Sequence, residues 1–294
     1  MERIILIETS TALCSVALAE DGAVVGYRES SAPKAHASLT AVFIQEMLGE
    51  RGLTLADCDA VCVSMGPGSY TGLRVGVSTA KGLCFGSGKP LLAVGTLDTL
   101  VAQAAQAAAA CYPAAPACHP DAPACHPERS EGSFHCPPSG NYRYIIPMID
   151  ARRMEVYTAV FEAASTPDAH PILPGASHVL PSKAEVIDEV AEADAKESPR
   201  YRQITETAPA IIDETSFSEY LEQGPCLFIG DGAGKCADVI RHPNATFCQC
   251  WPKASSMLEP AVAAFRAGNF QDVAYFEPFY LKEFVATVSK KKLW

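Results

Sequence analysis

The chain has 294 residues, of which 48% are hydrophobic and 19% are charged, so it is long enough to bury a substantial core in one large domain or two of ordinary size. The formal net charge of −11 weighs against extensive phosphate contact by this chain alone, because binding a polyanion needs clustered Lys and Arg. We find no run of 18 apolar residues and no signal peptide, and several cysteines lie inside apolar runs. These features predict a cytoplasmic protein with reduced core thiols and no membrane span.

The first 110 residues alternate between strand and helix patterns. RIILIE, CSVALAE and AVVGYRE predict three strands joined by tight turns, over residues 3–28. A helix is predicted over 36–50, a buried strand over 59–64, and a second helix over 72–86 after the loop GPGSYTG. The strand LLAVG and a helix from Thr96 complete a predicted N-terminal subdomain, 1–110.

Helices 36–50 and 72–86 are apolar on more than one face, so each needs a partner beyond one core. Gly72, Gly76 and Ala80 are spaced i, i+4 and i+8, which would let another helix approach closely. We therefore predict a dimerisation surface on this helix pair, which Val77→Asp or Phe43→Asp should disrupt while the fold stays intact. The candidate contact residues are Leu39, Phe43, Met47, Leu73, Arg74, Gly76, Val77, Ala80, Lys81 and Cys84.

Residues 111–141 form a low-complexity insert that is rich in proline and poor in large apolar side chains, and we expect it to be disordered. APACHP occurs at 115–120 and again at 122–127. Zinc binding is the alternative interpretation, although the segment contains no CxxC pair. The candidate zinc ligands in this alternative are Cys118, His119, Cys125, His126, His135 and Cys136.

The pattern of the first half returns from residue 142 onward, which predicts a C-terminal subdomain over 142–294. RYIIPMIDARRMEVY parallels the start of the chain, with Asp150 in the place of Glu8. CLFIGDGAGKCADVI repeats the order strand, glycine loop, helix, and a further helix is predicted over 255–267. Residues 163–224 between these elements are polar and poorly periodic, and they predict a variable insert with some helix.

Two such halves give the layout of the actin/Hsp70/sugar-kinase superfamily, an α/β fold in which each half is a mixed sheet flanked by helices. ILIETSTALCSVAL, GPGSYTGLRVG, IDARRMEVY and EPFYLKE together resemble the TsaB (YeaZ) family over most of the chain outside 111–141 and 163–224. The resemblance implies a dimerisation and scaffold subunit of the bacterial machinery that makes threonylcarbamoyladenosine beside the anticodon of tRNA. Its implied partners are the catalytic paralogue TsaD, the ATPase TsaE and a second copy of itself, with tRNA reached only through the complex.

The family's catalytic paralogue holds a metal with two histidines spaced H-x-x-x-H on the first long helix. Here His36 is followed at i+4 by Thr40, and one imidazole is not a metal site. We therefore assign no metal ligand and no catalytic residue, and we interpret His36 as a polar residue at a helix start.

A second glycine loop, GDGAGKC at 230–236, approaches a phosphate-binding loop. Ile229 stands where its first glycine belongs, and Cys236 stands where Ser or Thr would bind magnesium. Gly230, Asp231, Gly232 and Gly234 remain candidate nucleotide-binding residues, and the alternative is a tight turn between strand and helix. We assign no cofactor to this chain alone, although ATP fits the complex.

Three functions compete. The first is a non-catalytic scaffold for tRNA modification. The second is a nucleotide-binding small-molecule kinase or ATPase of the same superfamily, for which Glu8 and Asp150 would be the strand-end carboxylates. The third is a peptidase, but Ser10, Ser15 and Ser69 have no signalled catalytic partner.

Overall fold

A computed structural model describes residues 2–110, 141–164 and 201–281 of the chain, and at 107–110 it describes the main chain only. The predicted insert 111–141, apart from its last residue, and most of the insert 163–224 lie outside the described residues. Two mixed β-sheets with helices on their faces confirm the predicted fold class. None of the helices among the described residues is long and apolar enough to cross a membrane.

The first sheet has five strands in the order β3-β2-β1-β4-β5. β1, β2 and β3 form an antiparallel meander, while β4 and β5 continue parallel to β1. The strands follow the predicted apolar runs closely. The bounds are β1 Arg3–Glu8, β2 Cys14–Glu20, β3 Ala23–Ser30, β4 Ala60–Gly66 and β5 Leu91–Gly95.

Helices cover both faces of the first sheet. α1 (Ala35–Glu50) and α2 (Tyr70–Ser87) pack on one face around Ile5, Val61 and Val63. On the other face lie a 3₁₀ turn at Ala254–Met257 and α6 (Leu258–Arg266). The helix predicted over 255–267 is therefore divided into a 3₁₀ turn and an α-helix. It also packs on the first sheet, although its position in the sequence predicts that it belongs to the C-terminal subdomain.

The second sheet has seven strands, with β10-β7-β6-β11-β12 as its main order; β8 pairs with β6, and β9 pairs with β8. β6, β11 and β12 are parallel, and their carboxyl ends lie at one edge. α3 (Thr96–Ala110) packs on one face of this sheet, and α4 (Ser218–Leu221) and α5 (Ala233–Ala237) lie on the other. The bounds are β6 Tyr144–Asp150, β7 Glu155–Thr158, β8 Phe161–Ala163, β9 Tyr201–Gln203, β10 Ala208–Ile211, β11 Cys226–Gly230 and β12 Ala245–Gln249.

The second half repeats the first only in part. α5 has five residues where α2 has eighteen. β9 and β10 were not predicted, because they lie in the polar segment that indicated a variable insert. β10 pairs antiparallel with β7, so this part of the segment belongs to the sheet.

The chain finally crosses back over the helical face of the first sheet. Residues 271–281, which we call the C-terminal strap, begin with a hydrogen bond from the Gln271 amide to the Leu91 carbonyl at 2.8 Å. Val273 and Phe276 pack against the core beneath α1 and α2. The Phe279 amide then donates to the Met65 carbonyl at 2.7 Å. The strap thereby joins the end of the described chain to the end of β4.

Candidate functional site

The loop GPGSYTG is a short connection between β4 and α2. Gly66 adopts φ +106° and is followed by a cis bond to Pro67. Ser69 caps α2 by accepting a hydrogen bond from the Gly72 amide at 3.3 Å, and its own amide donates to the Ser10 carbonyl at 2.6 Å. The loop is therefore fixed against the turn between β1 and β2, and the helix begins two residues earlier than predicted.

The glycines of α2 face that turn. A Cβ at Gly72 would overlap the Thr9 carbonyl oxygen, and one at Gly76 would overlap the Thr9 hydroxyl. A Cβ at Gly68 would overlap the backbone of Ser10. This corrects the expectation that Gly72 and Gly76 admit another helix, because they admit the β1–β2 turn of the same chain.

Most of the predicted interface residues are turned inward. The side chains of Met47, Val77, Ala80 and Cys84 belong to the core beneath the helices, and Leu73 is fully buried. A helix can be apolar on several faces because two parts of one chain cover it, here the first sheet and the C-terminal strap. The residues placed inside are Met47, Leu73, Gly76, Val77, Ala80 and Cys84.

The remaining four predicted interface residues are at least partly accessible. Leu39 and Phe43 are half-buried, and Phe43 packs against the core. Arg74 is exposed, with its guanidinium 5.4 Å from the centre of the Tyr70 ring. Lys81 donates from Nζ to the carbonyls of Ala274 and Phe276 at 3.0 and 3.1 Å, so it holds the strap. The interface on this helix pair stays a prediction, now restricted to its outward face.

Two apolar side chains on that outward face were not singled out by the sequence. Phe85 on α2 is 87% exposed, and Val42 on α1 is 40% exposed. The small residues Ser78 and Gly82 are also exposed on α2, and a Cβ at Gly82 would meet no atom within 4 Å. If the inward face of α2 had been known, the helical period of 3.6 residues would have placed Phe85, Ser78 and Gly82 on a different face from Val77 and Leu73.

Glu8 ends β1 in a fully buried position. Its Oε1 accepts hydrogen bonds from the Ser10 amide at 2.7 Å and from the Ser64 hydroxyl at 2.8 Å. Its Oε2 has no hydrogen-bond partner among the residues that the structure describes. Burial raises the pKa of Glu8 to about 7, against the lowering effect of these hydrogen bonds. Glu8 thus sits in the place of a superfamily carboxylate but is enclosed by its own chain.

Asp150, its counterpart in the second half, is exposed and forms an ion pair with Lys235 of α5. The neighbouring Asp231 accepts a hydrogen bond from the Asp150 amide at 2.8 Å, and burial raises the pKa of Asp231 to about 6. The two carboxylates that the sequence pairs by position therefore have opposite environments, one buried among hydroxyls and one beside an ammonium group.

The second glycine loop offers few free amides. The Gly232 amide donates to the Met148 carbonyl at 3.0 Å, and the Gly234 amide donates to Gln249 Oε1 at 2.6 Å. Gly230 adopts φ +135° so that β11 can pass close to the Met148 carbonyl. The geometry of Gly230, Asp231, Gly232 and Gly234 is that of a tight turn in which two amides already have protein acceptors. Nucleotide binding by these four residues stays an untested prediction.

His36 is bonded to its own chain as well. Its Nε2 lies 2.9 Å from the Thr11 carbonyl, and Thr40 one turn later donates its hydroxyl to the His36 carbonyl at 2.6 Å. Across the described ranges, no three His, Cys, Asp or Glu side chains converge where they could hold a metal ion. The repeated Cys and His residues from Cys118 to Cys136 lie outside those ranges.

Comparison with known proteins agrees with this architecture. The family described as TsaD, tRNA N6-adenosine threonylcarbamoyltransferase, matches residues 26–119. The tRNA threonylcarbamoyladenosine biosynthesis protein TsaB of Escherichia coli K12 is 28% identical over 97% of this chain and 96% of its own length. The protein of the same name from Haemophilus influenzae is 40% identical over 35% of this chain and 42% of its own length.

A solved structure gives the same fold. YeaZ from Pseudomonas aeruginosa superposes with a TM-score of 0.63 at 20% identity, covering 96% of this chain and 100% of that one. A second structure from the same organism, described as a protein with similarity to peptidase YeaZ, has a TM-score of 0.65. The near full-length likeness to TsaB and the partial match to the TsaD family support the TsaB (YeaZ) family for this chain, and the YeaZ structures share its fold.

Proposed function

We propose that this chain is a non-catalytic subunit required, in the cytoplasm, for threonylcarbamoyl transfer to the adenosine beside the anticodon of tRNA. It acts by binding and activating the catalytic paralogue TsaD, and the ATPase TsaE joins the pair. Without TsaD, the chain forms a homodimer through the surface that binds TsaD. The names of its relatives support a role in threonylcarbamoyladenosine biosynthesis.

The outward face of α1 and α2 carries this proposal. Phe85 and Val42 are exposed apolar side chains on adjacent helices, and the small residues Ser78 and Gly82 are exposed on α2. Small side chains let a second helix approach, and an exposed phenylalanine gives a partner pocket something to bury. The inward glycines hold α2 against the β1–β2 turn, so the helix presents this face as a rigid surface.

The contacts around the two glycine loops support a role without catalysis by this chain. The β1–β2 turn occupies the space beside Gly72 and Gly76, and amides of the second loop already donate to Met148 and Gln249. We propose that ATP is used in the complex and is not bound by this chain. Isothermal titration of the isolated chain with ATP and magnesium tests the alternative of a kinase or ATPase, and micromolar binding would favour that alternative.

The first prediction concerns the assembled system. With TsaD, TsaE, labelled threonine, tRNA and the enzyme that makes the adenylate, omission of this chain should abolish transfer to tRNA. His36→Ala should retain the activity of the parent within about twofold, because its ring only meets the Thr11 carbonyl. Loss of transfer in His36→Ala while TsaD binding persists would contradict the non-catalytic role.

The second prediction concerns the surface. Phe85→Asp should weaken TsaD binding by about 10-fold or more, measured by biolayer interferometry, because it places a charge where an apolar contact is proposed. Ile211→Asp is the matched control, since Ile211 is 77% exposed on β10 of the other sheet. Equal affinities for the two variants would locate the interface elsewhere. Val77→Asp no longer serves as a test, because its buried side chain would report on folding.

A further inference from the structure

The tip of the β6–β7 hairpin has an unusual backbone. Arg152 and Arg153 follow one another with φ +71° and +53°, and both are exposed. The hairpin is closed by a hydrogen bond from the Ala151 amide to the Glu155 carbonyl at 3.0 Å. Left-handed backbone is unfavourable for residues with a Cβ, and turns that need it usually contain Gly, Asn or Asp. Two consecutive arginines at these positions are therefore not explained by the backbone conformation of the turn.

Lys235 holds this tip in place. Its Nζ donates to the carbonyls of Arg153 and Glu155 at 2.8 and 2.7 Å and also pairs with Asp150. The Asp150 carboxylate in turn accepts from the Arg152 amide at 2.9 Å. Strained backbone persists where the surroundings over-determine it, and such positions cluster at ligand clamps. The contacts of Lys235 and Asp150 fix the main chain of the tip and do not involve the side chains of the two arginines.

Neither guanidinium group has an ion pair or a hydrogen bond within the parts of the chain that the structure describes. Two carboxylates beside the hairpin are engaged by other groups, Asp150 by Lys235 and Asp231 by the Asp150 amide. This chain has 34 acidic and 23 basic side chains, so acidic partners are abundant. Two adjacent arginines that pair with no carboxylate of the described residues are available to an external anion.

The position of the tip is that of a ligand site. β6, β11 and β12 run parallel, and the hairpin tip extends from the carboxyl end of β6. Open α/β sheets bind ligands outside the carboxyl ends of their parallel strands. Arginine binds phosphate through a planar fork of donors, and it keeps its charge at any physiological pH.

We propose that Arg152 and Arg153 form a phosphate-binding tip that contacts the backbone of the tRNA substrate in the assembled complex. This rests on the proposed function, which brings an RNA to the chain. Two guanidinium groups on successive residues can bind successive phosphates of one strand. The chain's charge of −11 repels RNA elsewhere, so the contact orients the RNA through one small surface.

The experiment measures binding of fluorescein-labelled tRNA to the reconstituted complex by anisotropy. The double variant Arg152→Gln/Arg153→Gln should raise Kd about 10-fold or more and lower the slope of log K against log salt by about 1.4–1.8, as expected for two lost phosphate contacts. Arg202→Gln/Arg241→Gln is the control, with the same change of charge at exposed arginines outside the tip. An equal loss in the control would overturn a specific site.

Two further measurements separate the alternatives. Competition by ATP or inorganic phosphate at micromolar concentration would show a nucleotide or free-phosphate site, and a loss of TsaD binding in the double variant would show an acidic protein surface. Either result overturns the proposal. Arg152→Asn/Arg153→Asn should weaken tRNA binding equally while Tm stays unchanged or rises by about 2–4 °C, since Asn accepts this backbone. A fall in Tm would mean that the arginines serve the fold.

Failure of the phosphate-binding tip and failure of the proposed function give different results. If omission of the chain abolishes transfer while the double variant keeps the parent's Kd and salt slope, the subunit role stands and the phosphate tip fails. If omission has no effect on transfer, the proposed function fails before the tip is considered.

Discussion

Glu8→Gln should become more stable than the parent chain as pH rises, by about 3 kcal/mol between pH 4.5 and pH 8. The pKa of Glu8 is raised from 4.5 to about 7 by burial. When the pKa of a group is higher by one in the folded chain, its two protonation states differ in folding free energy by about 1.36 kcal/mol. Glutamine keeps an oxygen that can accept from the Ser10 amide and the Ser64 hydroxyl, and it carries no charge to bury.

The direction follows from linkage between protonation and folding. The folded chain binds the Glu8 proton more tightly than the unfolded chain, so this contribution to stability is fully present below pH 4.5 and is lost as pH rises through about 7. The titratable groups that interact with Glu8 are Cys14, Cys62 and Tyr27, whose own pKa values are raised mainly by burial. None of these three carries a positive charge that would oppose the effect.

Urea unfolding at pH 5, 6, 7 and 8 measures the difference between variant and parent. Glu46→Gln, which removes an exposed carboxylate on α1, is the background for a change of one charge. A difference that stays constant from pH 5 to pH 8 would mean that Glu8 is ionised throughout this range in the folded chain. A difference that grows only in Glu8→Gln locates the titration at the end of β1.

Local pattern was sufficient for most elements of the fold. Continuous apolar runs bounded by turn residues predicted β1, β4 and β5, and the repeat of strand, turn, strand predicted the second sheet from Tyr144 onward. The pattern failed for β9 and β10, which lie in a polar segment. β10 pairs with β7 across the chain, so its strand character comes from that neighbour.

The direction in which the helices face could not be predicted from the same pattern. A helix that is apolar on several faces must be packed against other elements, but its own sequence does not identify those elements. Part of the covering comes from Val273 and Phe276, which lie far from α2 along the chain. In the same way, the left-handed backbone at Arg152 and Arg153 could not be predicted from local sequence. The turn has no Gly, Asn or Asp at these two positions, and it is held by Lys235 on another element.

Gly72 and Gly82, which lie nearly three turns apart on the same helix α2, should respond oppositely to alanine. Gly72→Ala should lower the free energy of unfolding by about 3 kcal/mol, because its Cβ would overlap the Thr9 carbonyl, a backbone atom that cannot turn aside. Gly82→Ala should raise it by about 0.5–1 kcal/mol, because its Cβ meets open space and alanine favours helix. Urea unfolding of the two variants beside the parent measures both effects.

The same pair distinguishes a glycine that serves the fold from one that serves a partner. If a TsaD helix approaches α2 over Gly82, the added methyl group should weaken TsaD binding in a variant that is more stable than the parent. A chain with Gly82→Ala that is stabilised and binds TsaD normally would restrict the proposed contact to the neighbourhood of Phe85. Gly72→Ala without loss of stability would mean that α2 can move away from the β1–β2 turn, which the contacts of Ser69 and Gly76 oppose.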